Sequence, residues 1–319
     1  MITLKKLAEL ANVSVSTVSR ALNDGFDIAP ETRESIVRLA RENGYFSEKK
    51  RIRTENRQKN HFQIAILCPE INSEFYSAFV AKLASAFRAK DCSCIIYHSA
   101  FDRTTMDELF AVCNDRSDID AIISLGVIPH LPKTLSIPLI TANNGDQSGS
   151  RLQYDTLGAY RDILAAAQTA GLTRLAFAGE PLTTGKGEEL ATHAKTAGFA
   201  IERFCAKGRF DAAGREAAAY FSACETRPEL IVCAYDEIAC GLIDGLKQTG
   251  LRVPEDIKVI GWNDISTARY CFGGLTSVHY DLDLVIPQLI TDLLQDKKSG
   301  TVSNKSYLVP AKLIRRKTF

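Results

Sequence analysis

The sequence contains no apolar run near the length that a bilayer demands, and no charged-then-apolar leader opens it. Those absences exclude a helical membrane protein and a secreted one, so a cytoplasmic protein with no membrane partner is expected. Nine cysteines are present, an odd number, and no two are spaced C-x-x-C. A disulfide framework and a zinc ribbon are therefore excluded, and Cys68, Cys94 and Cys233, which sit in apolar runs, read as reduced core residues. Cys92 and Cys94 have no His or Cys cluster near them in sequence, so no metal site is expected. No nucleophile elbow, paired-His motif or evident acid–base pair occurs, which leaves no catalytic residue and no cofactor to nominate. The stretch from Gly179 through Lys186 to Gly187 tempts a phosphate-loop reading. It fails because five residues separate Gly179 from Gly185 and because Gly187 stands where a magnesium-binding hydroxyl belongs. Net charge is only +1, which argues against a chain coated in nucleic acid.

What charge there is lies unevenly. Residues 1–60 hold 12 Lys/Arg against 8 Asp/Glu, a net of +4, while the remainder carries a net of −3. The cations thus gather where phosphate contacts would be made. In the same region Leu4, Leu7, Ala8 and Ala11 recur at helical spacing. Val15, Val18, Ala21 and Leu22 do so again after a break at residues 12–14, where Ser14 is a natural N-cap. Two short helices joined by a tight turn are the pattern of a helix-turn-helix for duplex DNA. A third helix is predicted over 30–43, opened by Pro30 and closed by Gly44, with Ile36, Val37, Leu39 and Ala40 as its apolar stripe.

The residues T-L-x-x-L-A-x-x-A-x-V-S-x-x-T-V-S-R-x-L-N, running from Thr3 to Asn23, resemble the start of the lactose/galactose repressor family of bacterial transcription regulators. The resemblance continues through residues 28–33 and 43–45, then 236–241, 253–261, 275–278 and 313–318, and so spans nearly the whole chain. It implies that Val15, Ser16 and Arg20 read base edges: Arg pairs with guanine O6 and N7, Ser bonds several bases, and Val meets a thymine methyl. It also implies that Thr3, Ser14, Thr17, Ser19, Asn23 and Tyr45 anchor phosphates or cap helices, positioning without specifying. Lys6 departs from the family, where an acidic residue is usual.

Residues 47–60 are polar and charged with Ile52 as their only aliphatic side chain, too little apolar surface to order alone, and read as a linker that folds only against DNA. Relatives carry Y-x-P-N-x-x-A-R-x-L here, a helix whose Leu pair wedges into the minor groove. This chain lacks the Pro and Ala, and Thr54 falls at the wedge. Ile52 lies two residues away, a rotation of about 200° on a helix. Strong operator kinking is therefore not expected, while Lys49, Arg51 and Arg53 remain phosphate contacts with a steep salt dependence.

From residue 63 short apolar runs alternate with helical stretches: strands at 64–67, 94–97, 121–123 and 139–140, with helices at 75–89 and 106–112 between them. A second series follows residue 155, with helices to 170 and through 190–197 and strands at 175–178, 230–232 and 259–260. This α/β rhythm predicts two lobes of doubly wound parallel sheet, with a ligand cleft at the carboxyl ends of the strands. The family resemblance makes this a periplasmic-binding-protein-like body crossed three times by the chain. The expected divisions are a head at 1–46, a linker at 47–60 and a body at 61–319. Lobe one is expected at about 61–153 and 282–306, and lobe two at about 154–281 and 307–319. A helix at about 284–295 returns to lobe one.

Carried over by position, the resemblance nominates Phe75, Tyr76, Asn143, Lys186, Glu189, Phe210, Tyr235, Asn263 and Tyr280 for a small effector. Tyr235 and Tyr280 also read as strand-end tyrosines with hydroxyls in solvent. An Arg common in relatives after the 176–179 strand is absent; Glu189 or Glu188 falls at its place and Lys186 stands in. Loss of that cation, with Asn263 where relatives have Asp, favours a neutral or amino sugar over an anion. The implied function is a homodimeric repressor of carbohydrate-use genes that binds a palindromic operator and is released by its effector. A corepressor-dependent or activating regulator, a sugar-processing enzyme and a transport sugar-binding protein are the alternatives. No heptad extension precedes Phe319, so a tetramer is not expected.

Overall fold

The computed structural model describes residues 4–22, 28–43, 61–132, 135–142 and 149–319. The expected contacts Thr3, Asn23, Tyr45, Lys49, Arg51, Ile52, Arg53 and Asn143, and the linker 47–60, lie outside them. The chain divides into two compact units, Met1–Phe62 and Gln63–Phe319.

In the first unit, α1 (Leu4–Ala11), α2 (Val15–Leu22) and α3 (Pro30–Glu42) enclose one small core. Leu7, Ala8, Val18, Ala21, Ile36 and Ala40 are buried together, the apolar stripes that the spacing predicts. The turn after α1 is made by Asn12 at φ 51, a left-handed conformation that Asn tolerates, with Val13 donating to Ala8 O at 3.0 Å.

The second unit holds two six-stranded sheets. The first is built from β1 (Gln63–Cys68), β2 (Ser93–His98), β3 (Ala121–Ser124), β4 (Leu139–Ala142), β5 (Ser150–Tyr154) and β11 (Ser306–Val309), in the order β2-β1-β3-β4-β5-β11, every pair parallel. The second is built from β6 (Arg174–Gly179), β7 (Ala200–Cys205), β8 (Leu230–Cys233), β9 (Lys258–Trp262), β10 (Thr276–Tyr280) and β12 (Ala311–Ile314), in the order β7-β6-β8-β9-β10-β12. Only β12 runs antiparallel in the second sheet. Central strands are apolar on both faces, as β1, β3 and β8 are, because helices cover both sides. Cys68 and Cys233 are fully buried within them, whereas Cys94 on edge strand β2 is half-buried.

In the first lobe α4 (Glu74–Arg88) buries Phe79, Val80, Leu83 and Phe87. On α5 (Arg103–Asp115), Met106, Phe110 and Cys113 pack with Leu67 and Ile122. Asp102 caps α5, and Asp155 caps α6 (Thr156–Thr169), each carboxylate accepting an amide N–H of the first turn, at 2.7 and 2.9 Å. The second lobe adds α7 (Thr184–Thr196), α8 (Phe210–Ala223) and α9 (Asp236–Gln248). The last helix, α10 (Ile286–Ser299), packs against α4 in the first lobe. Chain crossings fall between β5 and α6, after β10, and at Pro310 between β11 and β12. The third comes later than the 306/307 boundary expected from sequence, because β11 completes the first sheet before the chain leaves it.

Candidate functional site

Two surfaces collect the predicted residues, one on each unit. On the head, Ser14 accepts the Thr17 N–H at 3.0 Å and so caps α2. Its hydroxyl also lies 2.7 Å from that of Ser16 and 2.8 Å from that of Thr17. Val18 and Ala21 face the core, which turns Val15, Ser16 and Arg20 outward within an arc of about 140°. Val15 is 44% exposed, an apolar side chain left in water on a polar face. Arg20 Nε donates to Ser16 O at 3.3 Å, which lays the guanidinium stem along the helix. Thr17 beside this arc and Ser19 within it are half-buried.

On the body, both sheets reverse strand order at matching places, between β1 and β3 and between β6 and β8. The segments leaving these strands splay apart there, and a cavity of about 320 Å³ opens at the carboxyl ends. Phe75 and Tyr76 reach it from the start of α4, Phe210 from the start of α8, and Tyr235 from the end of β8. Tyr280 closes β10, Asn263 follows β9 at φ 94, and Lys186 lies in the first turn of α7. Glu189 is the exception among the described nominees. One turn further along α7, it is exposed and outside the cavity lining, 3.4 Å from the Tyr160 hydroxyl. Glu188, its alternative, pairs with Arg203 at 3.6 Å, also outside.

Aromatic rings form much of the wall. Tyr154 and Tyr280 lie 4.7 Å apart between centroids, and Phe75 is 6.2 and 6.4 Å from them. The Tyr280 hydroxyl is not in solvent; it accepts the Trp262 indole N–H at 2.9 Å. The Tyr235 hydroxyl likewise points inward, and burial followed by the neighbouring Glu180 carboxylate raises its pKa.

Polar chemistry in the cavity centres on residues that sequence reasoning did not nominate. Arg209, one residue before Phe210, turns its Nη1 and Nη2 onto Glu70 at 2.7 and 2.8 Å. Its Nε bonds Glu180 at 3.0 and 3.2 Å. The planar cation also lies over the rings of Phe210 and Phe101, 4.7 and 5.7 Å from their centroids. Hydrogen bonding to Glu70, then to Glu180, raises its already high pKa. A bidentate cation is therefore present after all, supplied after β7 instead of after β6, and it is matched by two carboxylates. A charged residue immediately beyond the apolar runs of β1 and β6, as Glu70 and Glu180 are, was the available signal.

Lys186 is held differently. Its Nζ donates to Ala234 O at 2.9 Å and sits 4.2 Å above the Trp262 ring. Burial pulls its pKa down to about 7, against the opposing pull of Asp236 and Glu189. Asp236 accepts the Ser277 hydroxyl at 2.6 Å and the Ile265 N–H at 2.8 Å. Burial pushes its pKa up to about 8 despite both bonds. Gly179 at the end of β6 and Gly187 in the first turn of α7 have a packing role, since a Cβ on either would lie 2.7 Å from the Phe177 ring, whereas Gly185 has open space beside it. Among the described residues no cluster of His, Cys, Asp and Glu is placed to hold a metal, and no helix is long and apolar enough to cross a membrane.

Comparison with known proteins places both units. Residues 3–48 match the model of bacterial regulatory proteins of the lacI family, and residues 165–319 match a periplasmic binding protein-like domain. An HTH-type transcriptional repressor PurR of Erwinia tasmaniensis is 26% identical, over 100% of this chain and 97% of its own. Among solved structures, a transcriptional regulator CelR–cellobiose complex has a TM-score of 0.66 at 20% identity and covers 100% of both chains. The lac repressor dimer bound to operator and the anti-inducer ONPF has a TM-score of 0.70 at 20% identity, over 99% of this chain and 98% of the other. A lacI-family helix-turn-helix domain therefore heads a periplasmic-binding-protein-like body in this chain, which is a DNA-binding regulator of transcription.

Proposed function

We propose that the protein is a cytoplasmic homodimer that represses carbohydrate-use genes at a palindromic operator and is released when a neutral or amino sugar enters the body cavity. The observation that carries the effector class is the cavity's composition. Aromatic faces at Phe75, Tyr154, Phe210 and Tyr280 suit the C–H face of a sugar ring, and the one guanidinium that the described residues bring to the lining is matched by Glu70 and Glu180. An anion arriving there meets more negative than positive charge, because Lys186 is only partly protonated near neutral pH. The site binds without turning its ligand over: sugar occupancy and operator occupancy oppose each other through a coupling free energy that is reciprocal.

Val15, Ser16 and Arg20 carry the base reading, with Ser14, Thr17 and Ser19 as positioning contacts. The test is a gel shift on promoter fragments flanking the gene, with and without a panel of neutral, amino and acidic sugars. Release by a neutral or amino sugar is expected, and Arg20→Ala should lower preference for the operator over random duplex by about 5- to 150-fold, from a contact of about 1–3 kcal/mol. Operator binding strengthened by the sugar would reassign the protein as corepressor-dependent. No preference for any promoter fragment would refute the reading.

A further inference from the structure

The Glu70 carboxylate comes from the segment after β1 in the first lobe, yet both its oxygens are engaged by Arg209 of the second. That end-on, two-point geometry is the one a guanidinium offers to the carboxylate of a ligand. Glu180 holds the remaining Nε edge, so three of the five N–H donors are already committed inside the cavity. The Glu70 side chain is 11% exposed and that of Glu180 0%, so neither acceptor is a passing surface contact.

We propose that Glu70 is a specificity-determining residue that occupies the carboxylate-binding face of Arg209 as a tethered substitute ligand, and so bars sugar acids from the cavity while leaving the aromatic walls open to uncharged and amino sugars. This inference rests on the sugar-binding reading of the cavity given above. A tethered carboxylate competes at an effective concentration set by its short connection to β1, on the order of millimolar or above, against any free anion. The apparent affinity for that anion falls by the fraction of time that Arg209 is unoccupied. Glu180 adds a second device: it keeps the Nε edge, so an incoming carboxylate that displaced Glu70 would gather three carboxylates around one guanidinium, with Glu70 unpaired.

The experiment uses the full-length protein and matched hexoses, hexosamines and hexuronates of gluco and galacto configuration, with binding read by calorimetry and by the fluorescence of Trp262, the single tryptophan. In the wild type the hexuronate is expected to bind at least about tenfold more weakly than the matching hexose. Glu70→Gln should bind the hexuronate at least about tenfold more tightly than the wild type does, and Glu70→Gln combined with Arg209→Gln should lose that gain. Glu70→Ala, which removes the tethered group outright, gives the same reading if the Gln variant folds poorly. Equal hexuronate affinity in wild type and both Glu70 variants overturns the inference, as does a gain that survives loss of Arg209. A wild type that takes up no hexose or hexosamine defeats the proposed function instead, and the two failures are distinguishable.

Discussion

Arg209→Met should destabilise the body by about 2–3 kcal/mol, and the number follows from what the substitution leaves behind. Glu180 is 0% exposed in its side chain and loses the Nε that bonds both its oxygens, while Glu70, 11% exposed, loses a two-point partner. Removing one member of a buried ion pair typically costs about 3–5 kcal/mol, because the remaining charge stays desolvated. The Arg209 side chain is itself 37% exposed, however, so water can approach the truncated site, which places the cost at or below the lower end of that range. A change of that size corresponds to a fall in Tm of roughly 4–12 °C for a body of this length. The assay is thermal and urea denaturation followed by circular dichroism, with Arg209→Met/Glu180→Gln as the partner experiment. Converting the buried carboxylate to an amide should restore at least half of the loss, because most of the penalty lies in an unpaired charge and not in missing methylenes. If Arg209→Met melts within about 2 °C of the wild type, or the double variant is no more stable than the single, the clasp does not have the energetic role assigned to it.

Three further outcomes are expected. Gly214→Ala places a Cβ 2.1 Å from Ile238 O and 2.4 Å from Leu242 N, backbone atoms of α9 that cannot swing aside. A loss of about 3 kcal/mol or more is anticipated in urea unfolding, and a neutral effect contradicts the α8–α9 packing. Lys186 should titrate near pH 7 beneath the Trp262 ring, giving a fluorescence transition centred there that Lys186→Met abolishes; a flat profile from pH 6 to 9 contradicts it. The sign for stability follows. With a folded value of about 7 against an ordinary 10.5, the unfolded chain alone holds the proton between those pH values, so this group's contribution to stability rises with pH across that window. Ser14→Ala removes the acceptor of the Thr17 N–H and should cost α2 about 1 kcal/mol, read as about fivefold faster amide exchange in that helix.

The head was legible almost residue by residue, because its core is local: Leu7 and Ala8 meet Val18 and Ala21 across a turn of a few residues, and spacing reports that directly. Central strands were equally plain, since β1, β3 and β8 are apolar on both faces. Edge strand β2 was read at 94–97, but the other three edges escaped, as did interior β5 and β10. Strand β7 alternates weakly and carries Glu202 and Arg203, while β11 and β12 are four residues each. In the cavity, the residues at strand and helix ends that the family pattern covers lie in its wall. Glu189 falls outside because three residues of rise, about 4.5 Å along the axis of α7, carry it past the cavity that Lys186 lines, to an exposed position. The position of Glu70 and Glu180 beyond strand ends was a signal, but their pairing with Arg209 was not legible. The partners are separated by 139 and 29 positions, and only the folding of two sheets against one another brings them together.

The last fourteen residues carry a consequence of their own. Strand β11 finishes the edge of one sheet, Pro310 passes the chain across, and β12 finishes the other. Thr318 then donates to Val259 O at 2.8 Å and accepts the Thr276 N–H at 2.9 Å, inside the second sheet. No single cut therefore yields a half-body complete in its own strands. A fragment ended before Ser306 bares a fresh edge on both sheets at once, so each lobe's integrity is hostage to the same short segment.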